Sequence, residues 1–323
     1  MNESKCTVTV LSPVYNKAAT IVRSFESLLK QTNYDFEWLV INDGSKDNSA
    51  EIIKTFKTDL FPIRFYDKEN EGLNRTFNMG IRLAKGDLVL RLDTDDYLVS
   101  NAIEQIVRYY DLIKDDNSLC SIAFLTGTPD GCLIGTHPYK DIHRSNFIDY
   151  RYIDHAKGDR KEVVKREVFQ RFPMLEIEGE KFCSESVMWQ NIAEHYDALY
   201  IPEIIYIKEY GGNSISANHS SVYSKNPIGV RYAYLQSVRI LLNKKKSGCP
   251  VTKELFKTCI NYYRYSPFYK ESAREIFKGL PLGLSIATII PGLLCYMIDK
   301  YFPSLIYKVL GTIRGTNSKM RKS

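Results

Sequence analysis

Over the first hundred residues, four short apolar runs alternate with three stretches whose apolar residues recur three and four apart. Residues 6–11 alternate and are rich in Val and Thr, which reads as a strand. The run exits into Ser12-Pro13-Val14-Tyr15-Asn16, where Pro13 is expected to stop the ladder. Ile21, Phe25, Leu28 and Leu29 give 18–31 the spacing of a helix. A second strand over 36–41 closes on Asn42-Asp43-Gly44-Ser45, a turn signal, and Asp47 is placed to cap a helix reaching Phe56. A third strand covers 63–66. Asn70-Glu71-Gly72 then opens a helix carrying Leu73, Phe77, Ile81 and Ala84. The fourth run, 88–92, ends in Asp93-Thr94-Asp95-Asp96.

This alternation predicts an α/β fold: a Rossmann-like, doubly wound, mostly parallel sheet whose C-terminal edge collects Asn16, Asp43, Asn70 and Asp93. No G-x-G-x-x-G follows the first strand, so the dinucleotide-binding version is disfavoured. Three carboxylates within four residues repel one another unless a cation lies among them. Oxygen ligands of this kind suit Mg²⁺ or Mn²⁺, which take one or two protein carboxylates together with phosphate oxygens. A solvated acidic turn that caps the next helix is the plain alternative.

Four ordered motifs make the pattern specific: Pro13-Val14-Tyr15-Asn16; Asn42-Asp43-Gly44-Ser45; Asn70-Glu71-Gly72-Leu73 with Asn78 and Gly80; and Arg91-Leu92-Asp93-Thr94-Asp95-Asp96. Their order and spacing resemble the family 2 glycosyltransferases of GT-A fold, with Asn42 where Asp is more usual and Thr94 where Ala or Ser is. The resemblance implies an inverting transfer of a sugar from a nucleotide-diphosphate donor, expected to be a UDP-sugar, in cell-surface polysaccharide synthesis. It implies that Pro13, Val14, Tyr15 and Asp43 hold the base, with Asn74, Arg75, Asp93 and Thr94 near the nucleotide. Asp95 would hold the metal, together with Asp93. An Asx-turn is the plain alternative for Asp43, and a solvated helix charge for Arg75.

Downstream, 101–113 reads as a helix and 119–126 as a strand, with a turn at 127–131 and a return over 132–135. The polar, aromatic stretch 137–159 has no clear period. Ser184 is placed to cap a helix reaching about Tyr196, with Glu185 in its first turn. By resemblance to the family's acidic motif, Glu185 is the candidate catalytic base, although Ser186 follows it where Asp is frequent. A carboxylate serving the helix dipole is the alternative. A strand over 201–210 leads to Gly211-Gly212-Asn213-Ser214, a loop able to fold over a diphosphate. His219 beyond it either completes a metal or phosphate site or is a surface histidine.

Helices are expected over 227–242 and 253–263. Residues 279–298 carry no charge and are long enough for a ~30 Å hydrocarbon core, but Pro291 should break the ladder midway. Two helices lying in the membrane surface, the second over 301–310, are preferred to a span or a buried pair. The expected organisation is therefore a GT-A catalytic domain over 1–225 (nucleotide half 1–100, acceptor half 101–225), a helical extension over 226–278, and a membrane-associating tail over 279–323.

Net charge changes the picture at one end. From Lys300 onward there are six basic residues and no acid, while the first 299 residues balance at 38 of each sign. The basic character is thus assigned to the tail, which speaks against a nucleic-acid groove on the folded body and for an anionic membrane surface. Seven scattered cysteines without a C-x-x-C fit a reducing compartment, and residues 1–5 lead into the first strand without a signal-peptide pattern. The expected location is the cytoplasmic face of a membrane, peripherally bound, with a glycan or lipid-linked acceptor. Nucleotidyl transfer and a non-catalytic sugar-nucleotide or glycan-binding module are the rival readings.

Overall fold

An apolar run with no polar gap must be covered on both faces. The computed structural model, which describes residues 6–209, 219–269 and 271–301, meets that demand with a nine-stranded sheet. The chain divides into two compact units, Met1–Ser214 and Ile215–Ser323.

In the first unit the chain runs β1 (Val8–Val14), α1 (Ile21–Leu29), β2 (Phe36–Asp43), α2 (Ser49–Thr55), β3 (Ile63–Lys68), α3 (Leu73–Leu83) and β4 (Leu88–Arg91). It continues with β5 (Tyr97–Leu98), α4 (Ala102–Tyr110), β6 (Leu119–Gly127), β7 (His143–Ser145), α5 (Phe147–Tyr152), β8 (Arg160–Lys165), α6 (Arg166–Arg171), α7 (Ser186–Ala193) and β9 (Asp197–Ile207). The strand order is β3-β2-β1-β4-β8-β6-β9-β5, with β7 on β9. β1, β2, β3 and β4 are mutually parallel, whereas β8 enters antiparallel between β4 and β6.

Two core layers cover the sheet. Trp38, Val40 and Leu90 face Phe25, Leu28, Ile103 and Ile106 on one side. Leu39, Ile41 and Val89 face Phe77, Ile81, Phe169, Met188 and Ile192 on the other. The period-two alternation along the strands meets the helical period of the covering elements, as the sequence pattern requires.

Pro13 does not stop β1. The strand pairs with β2 through Pro13 opposite Ile41 and Val14 opposite Asn42. Leu92 N donates to Leu11 O on the β4 side. Residue 13 shares that parity, so the proline's missing N–H faces the side where β1 and β4 part. The strand order reverses at that point, and open α/β sheets bind their ligands at such a reversal. The helix expected to follow a Ser184 cap and reach about Tyr196 spans Ser186–Ala193, with Glu185 at its N-cap rather than in its first turn.

The second unit is helical: α8 (His219–Lys225), α9 (Pro227–Lys246), α10 (Thr252–Tyr265), α11 (Ala273–Lys278) and α12 (Leu282–Tyr301). α12 runs unbroken through Pro291, against the expectation that the proline breaks the ladder midway. Just past the proline Gly292 lies on Tyr263 and Ile260 of α10. Further on, Asp299 takes a two-pronged bond from Arg264, at 2.5 and 2.7 Å. These contacts hold the distal half in line despite the lost hydrogen bond. The second expected surface helix, over 301–310, and the 211–214 loop lie outside the described residues, apart from Tyr301, which ends α12.

Candidate active site at the sheet edge

The first two motifs clasp each other. Asn16, in the left-handed region at φ 54°, accepts from Lys46 N at 2.8 Å and donates its own N–H to Ser45 Oγ at 2.9 Å. Lys17 N and Ala18 N donate to Ser49 Oγ and Asp47 Oδ2. Asp47 thus joins two loops as well as bonding Ser49 at the start of α2. This fixes the turn after β1 and leaves Tyr15 exposed beside it.

Asp43 is buried and receives four bonds. Lys68 Nζ (2.6 Å) and Glu71 N (2.9 Å) reach Oδ1, while Gly72 N (2.9 Å) and Asn70 Nδ2 (3.1 Å) reach Oδ2. Burial alone would raise its pKa, but these donors outweigh burial and hold the carboxyl below its ordinary value. The turn it anchors needs glycine at 72, where φ is +97° and a Cβ would lie 2.2 Å from Lys181 O. Asn74 and Arg75 are turned to the same segment. Asn74 Nδ2 donates to Leu175 O and Cys183 O, and Arg75 Nη2 to Ile177 O. Both residues brace the chain leading to Glu185.

At the β4 exit the charges interlock. Arg91 Nε lies 3.0 Å from Asp93 Oδ1, and Arg91 Nη1 donates to Glu185 Oε2 at 2.8 Å. One guanidinium therefore joins Asp93 to a carboxylate 94 positions beyond Arg91 itself. Lys161 Nζ approaches Asp93 at 3.5 Å while sitting 3.8 Å over the Tyr206 ring. Tyr206 Oη accepts from Asp93 N at 3.0 Å. Burial pushes the Asp93 pKa upward, but Arg91, Lys161 and Lys208 prevail and hold it well below the carboxylate range. Asp96, buried and repelled by Asp93 and Asp95, is pushed up to about 6.

Asp95 faces the other way. Lys17 Nζ meets its Oδ2 at 2.5 Å, and about a third of its side chain is exposed. Thr94 between the aspartates is buried, and its hydroxyl has no hydrogen-bond partner among the described residues. Partly exposed and paired with one ammonium, Asp95 would hold a cation by exchanging Lys17 for it, with the orphaned Thr94 hydroxyl alongside. Asp93 does not fit the same ion, because Arg91 and Lys161 neutralise it in place. Among the described residues no group of three or more His, Cys, Asp or Glu side chains converges on one point. His219 begins α8, but its side chain lies outside the described residues.

Sequence reasoning missed Arg91, Lys17 and Lys161 as partners, and it missed Glu162. Glu162 lies on β8 and lines a cavity of about 20 Å³ with Phe147, Trp189 and Tyr200, room for about one water. Burial, with the Glu185 carboxylate behind it, pushes its pKa up to about 7. The one available signal was an acid inside the otherwise apolar and basic run 160–165.

A mostly parallel sheet with charged side chains gathered at its β1/β4 reversal is a Rossmann-like fold of the ligand-binding kind. Residues 9–164 match the model of glycosyl transferase family 2, and through this region the chain belongs to that family. It is similar over 95% of its length, at 23% identity, to GalNAc(5)-diNAcBac-PP-undecaprenol beta-1,3-glucosyltransferase of Campylobacter jejuni, 97% of which is covered. An uncharacterized glycosyltransferase of Rickettsia bellii is 39% identical over 32% of this chain, which spans only 15% of that protein. The Pasteurella multocida hyaluronan synthase is 35% identical over 39% of this chain and is covered over 13%. Among solved structures, S. aureus TarS 1–349 in complex with UDP matches with TM-score 0.60 at 14% identity, over 92% of this chain and 91% of that one. That likeness establishes the fold, which is the GT-A type.

Proposed function

We propose that this glycosyltransferase moves a sugar from a UDP-linked donor, with inversion, to a hydroxyl of a lipid-linked or glycan acceptor during surface-polysaccharide assembly. The observation that carries the reading is the Arg91 bridge. It ties Asp93, on the nucleotide side of the β1/β4 reversal, to Glu185, the one carboxylate at the start of α7. Donor and acceptor chemistry would then meet across a single guanidinium.

In this reading Pro13, Val14 and Tyr15 flank the base, and Asp43 keeps the turn beside it in shape or accepts a base N–H. Asn74 and Arg75 act through the 174–183 segment that they hold. Glu185, half exposed, takes the proton from the attacking hydroxyl, while Arg91 fixes its direction. Lys17 and Arg91 contribute positive charge facing the leaving diphosphate. A divalent cation on Asp95, Mn²⁺ or Mg²⁺, would supply further neutralisation of that leaving group. One base and one in-line displacement give inversion.

The UDP donor is supported by the TarS complexes, which contain UDP and UDP-GlcNAc. The lipid-linked acceptor is supported by the undecaprenol-linked substrate in the Campylobacter relative's name. Attachment to the cytoplasmic membrane face follows from such an acceptor. The test is a panel of nucleotide sugars, assayed for hydrolysis and for transfer to a diphosphate-undecaprenol glycan, with Mn²⁺ and with chelator. Hydrolysis of one UDP-sugar with transfer to the lipid acceptor is expected. Binding without any bond cleavage across the panel would sink the enzymatic reading.

A further inference from the structure

The unit boundary revises where the charge lies. Ile215–Ser323 holds 18 Lys and Arg against 4 Asp and Glu, while Met1–Ser214 holds 26 against 34. The basic excess therefore belongs to the whole second unit, and the catalytic unit is acidic.

The apolar excess lies in the same unit. On α12 the small residues Ser285, Thr288 and Gly292 form a buried face. A Cβ on Gly292 would come within 2.4 Å of Tyr263 Cβ, so α10 lies directly against it. Around the rest of the helix Leu282, Ile286, Ile290, Leu293, Leu294 and Met297 are exposed. They recur at helical spacing and make a continuous apolar surface on a segment of which 17% is buried.

We infer that the second unit docks on an anionic lipid bilayer with α12 lying flat in the interface, its apolar surface among the acyl chains and α10 on the aqueous side. This rests on the membrane attachment read above and adds the orientation, the contacting residues and the charge of the lipid. Length alone would let α12 span. A spanning helix, however, would carry α10 into hydrocarbon with it. α10 brings exposed Lys253 and Lys257 and half-buried Glu254, and the Arg264–Asp299 pair ties it to α12. Ionisable groups at that depth are strongly disfavoured. Lying flat, α12 immerses only uncharged side chains and keeps these groups in water. The basic excess selects the lipid, since Lys and Arg near a bilayer are drawn to anionic headgroups. The apolar surface argues against nucleic acid, which would leave it wet.

Flotation of the full chain tests this with vesicles of phosphatidylcholine alone and of phosphatidylcholine mixed with phosphatidylglycerol. Binding to the anionic vesicles is expected to exceed neutral binding by roughly tenfold or more, and to weaken at high salt. Carbonate should release the protein. Ile290→Glu with Leu294→Glu should abolish flotation while UDP affinity, read by titration calorimetry, stays at the wild-type value. Spin labels placed singly at 286, 290 and 297 should report similar shallow depths. Equal binding to neutral vesicles, or capture of RNA with no flotation, overturns the docking proposal. Carbonate resistance, or depths that rise steadily along the helix, overturns the flat orientation. Because no arm requires turnover, failure here is distinguishable from failure of the glycosyltransferase reading.

Discussion

Replacing Asp43 by Asn separates two roles for one carboxylate. The change keeps the shape but removes the charge facing Lys68, and one oxygen becomes an amide that cannot accept. The Asp43 and Lys68 side chains are 5% and 13% exposed, so solvent screens the pair little. Hydrogen bonds to charged groups contribute ~1.5–3 kcal/mol, and a buried donor left unmatched costs ~1–3 kcal/mol. With Glu71 N and Gly72 N both directed at the carboxylate, the expected loss is ~2–4 kcal/mol. At a urea slope of ~1–3 kcal/mol per molar, the midpoint should fall by about 1–2 M. The pH dependence gives a second handle. Asp43 titrates below its ordinary 3.8, so the folded state prefers the carboxylate. Its contribution is complete above that ordinary value and fades as pH falls through the native pKa. Wild type and D43N should therefore differ at neutral pH and converge in acid. Urea unfolding followed by fluorescence at several pH values measures this, with UDP titration alongside. An unchanged midpoint at neutral pH would refute the anchoring role. If UDP affinity fell at the same time, the carboxylate would be acting on the base.

Three further outcomes follow from the site. Glu185→Gln should keep UDP affinity but lower kcat by ~10²–10⁴-fold; matched losses in binding and turnover would mark a structural role at the start of α7. Asp95→Ala should remove the Mn²⁺-dependent part of donor affinity, read by calorimetry with and without chelator, and full transfer by this variant in chelator would exclude a metal on Asp95. Glu162 has its native pKa raised to about 7 from an ordinary 4.5, so the fold favours its protonated form. Wild type should then lose stability relative to Glu162→Gln as pH rises between those values, in thermal melts across that range. A difference that does not vary with pH would show that Glu162 does not titrate there.

Local periodicity made much of the first unit legible. The four parallel strands and their helices follow from alternation and from three- and four-residue spacing, which need only neighbours in sequence. The turns were legible as well, because Asn16, Asp43-Gly44 and Gly72 carry backbone preferences of their own. The strand-end carboxylates could be found for the same reason, since a parallel sheet brings its strand exits to one edge.

What the carboxylates touch could not be found that way. Lys17 meets Asp95 and Arg91 meets Glu185 only because β1 and β4 are adjacent and the 174–183 segment is pinned to α3. Those partners are 78 and 94 residues apart, and no spacing rule reaches so far. The antiparallel entry of β8 between β4 and β6 likewise brought in Lys161 and Glu162. Pro13 and Pro291 were read as breaks because each lacks an N–H. Whether that lack interrupts an element depends on what faces it. At Pro13 it faces the diverging strand, and near Pro291 the packing of α10 holds the helix together. Charge behaved in the same way: the sequence supplied every lysine, but only the division into two units showed that the basic residues share one body with the apolar helix.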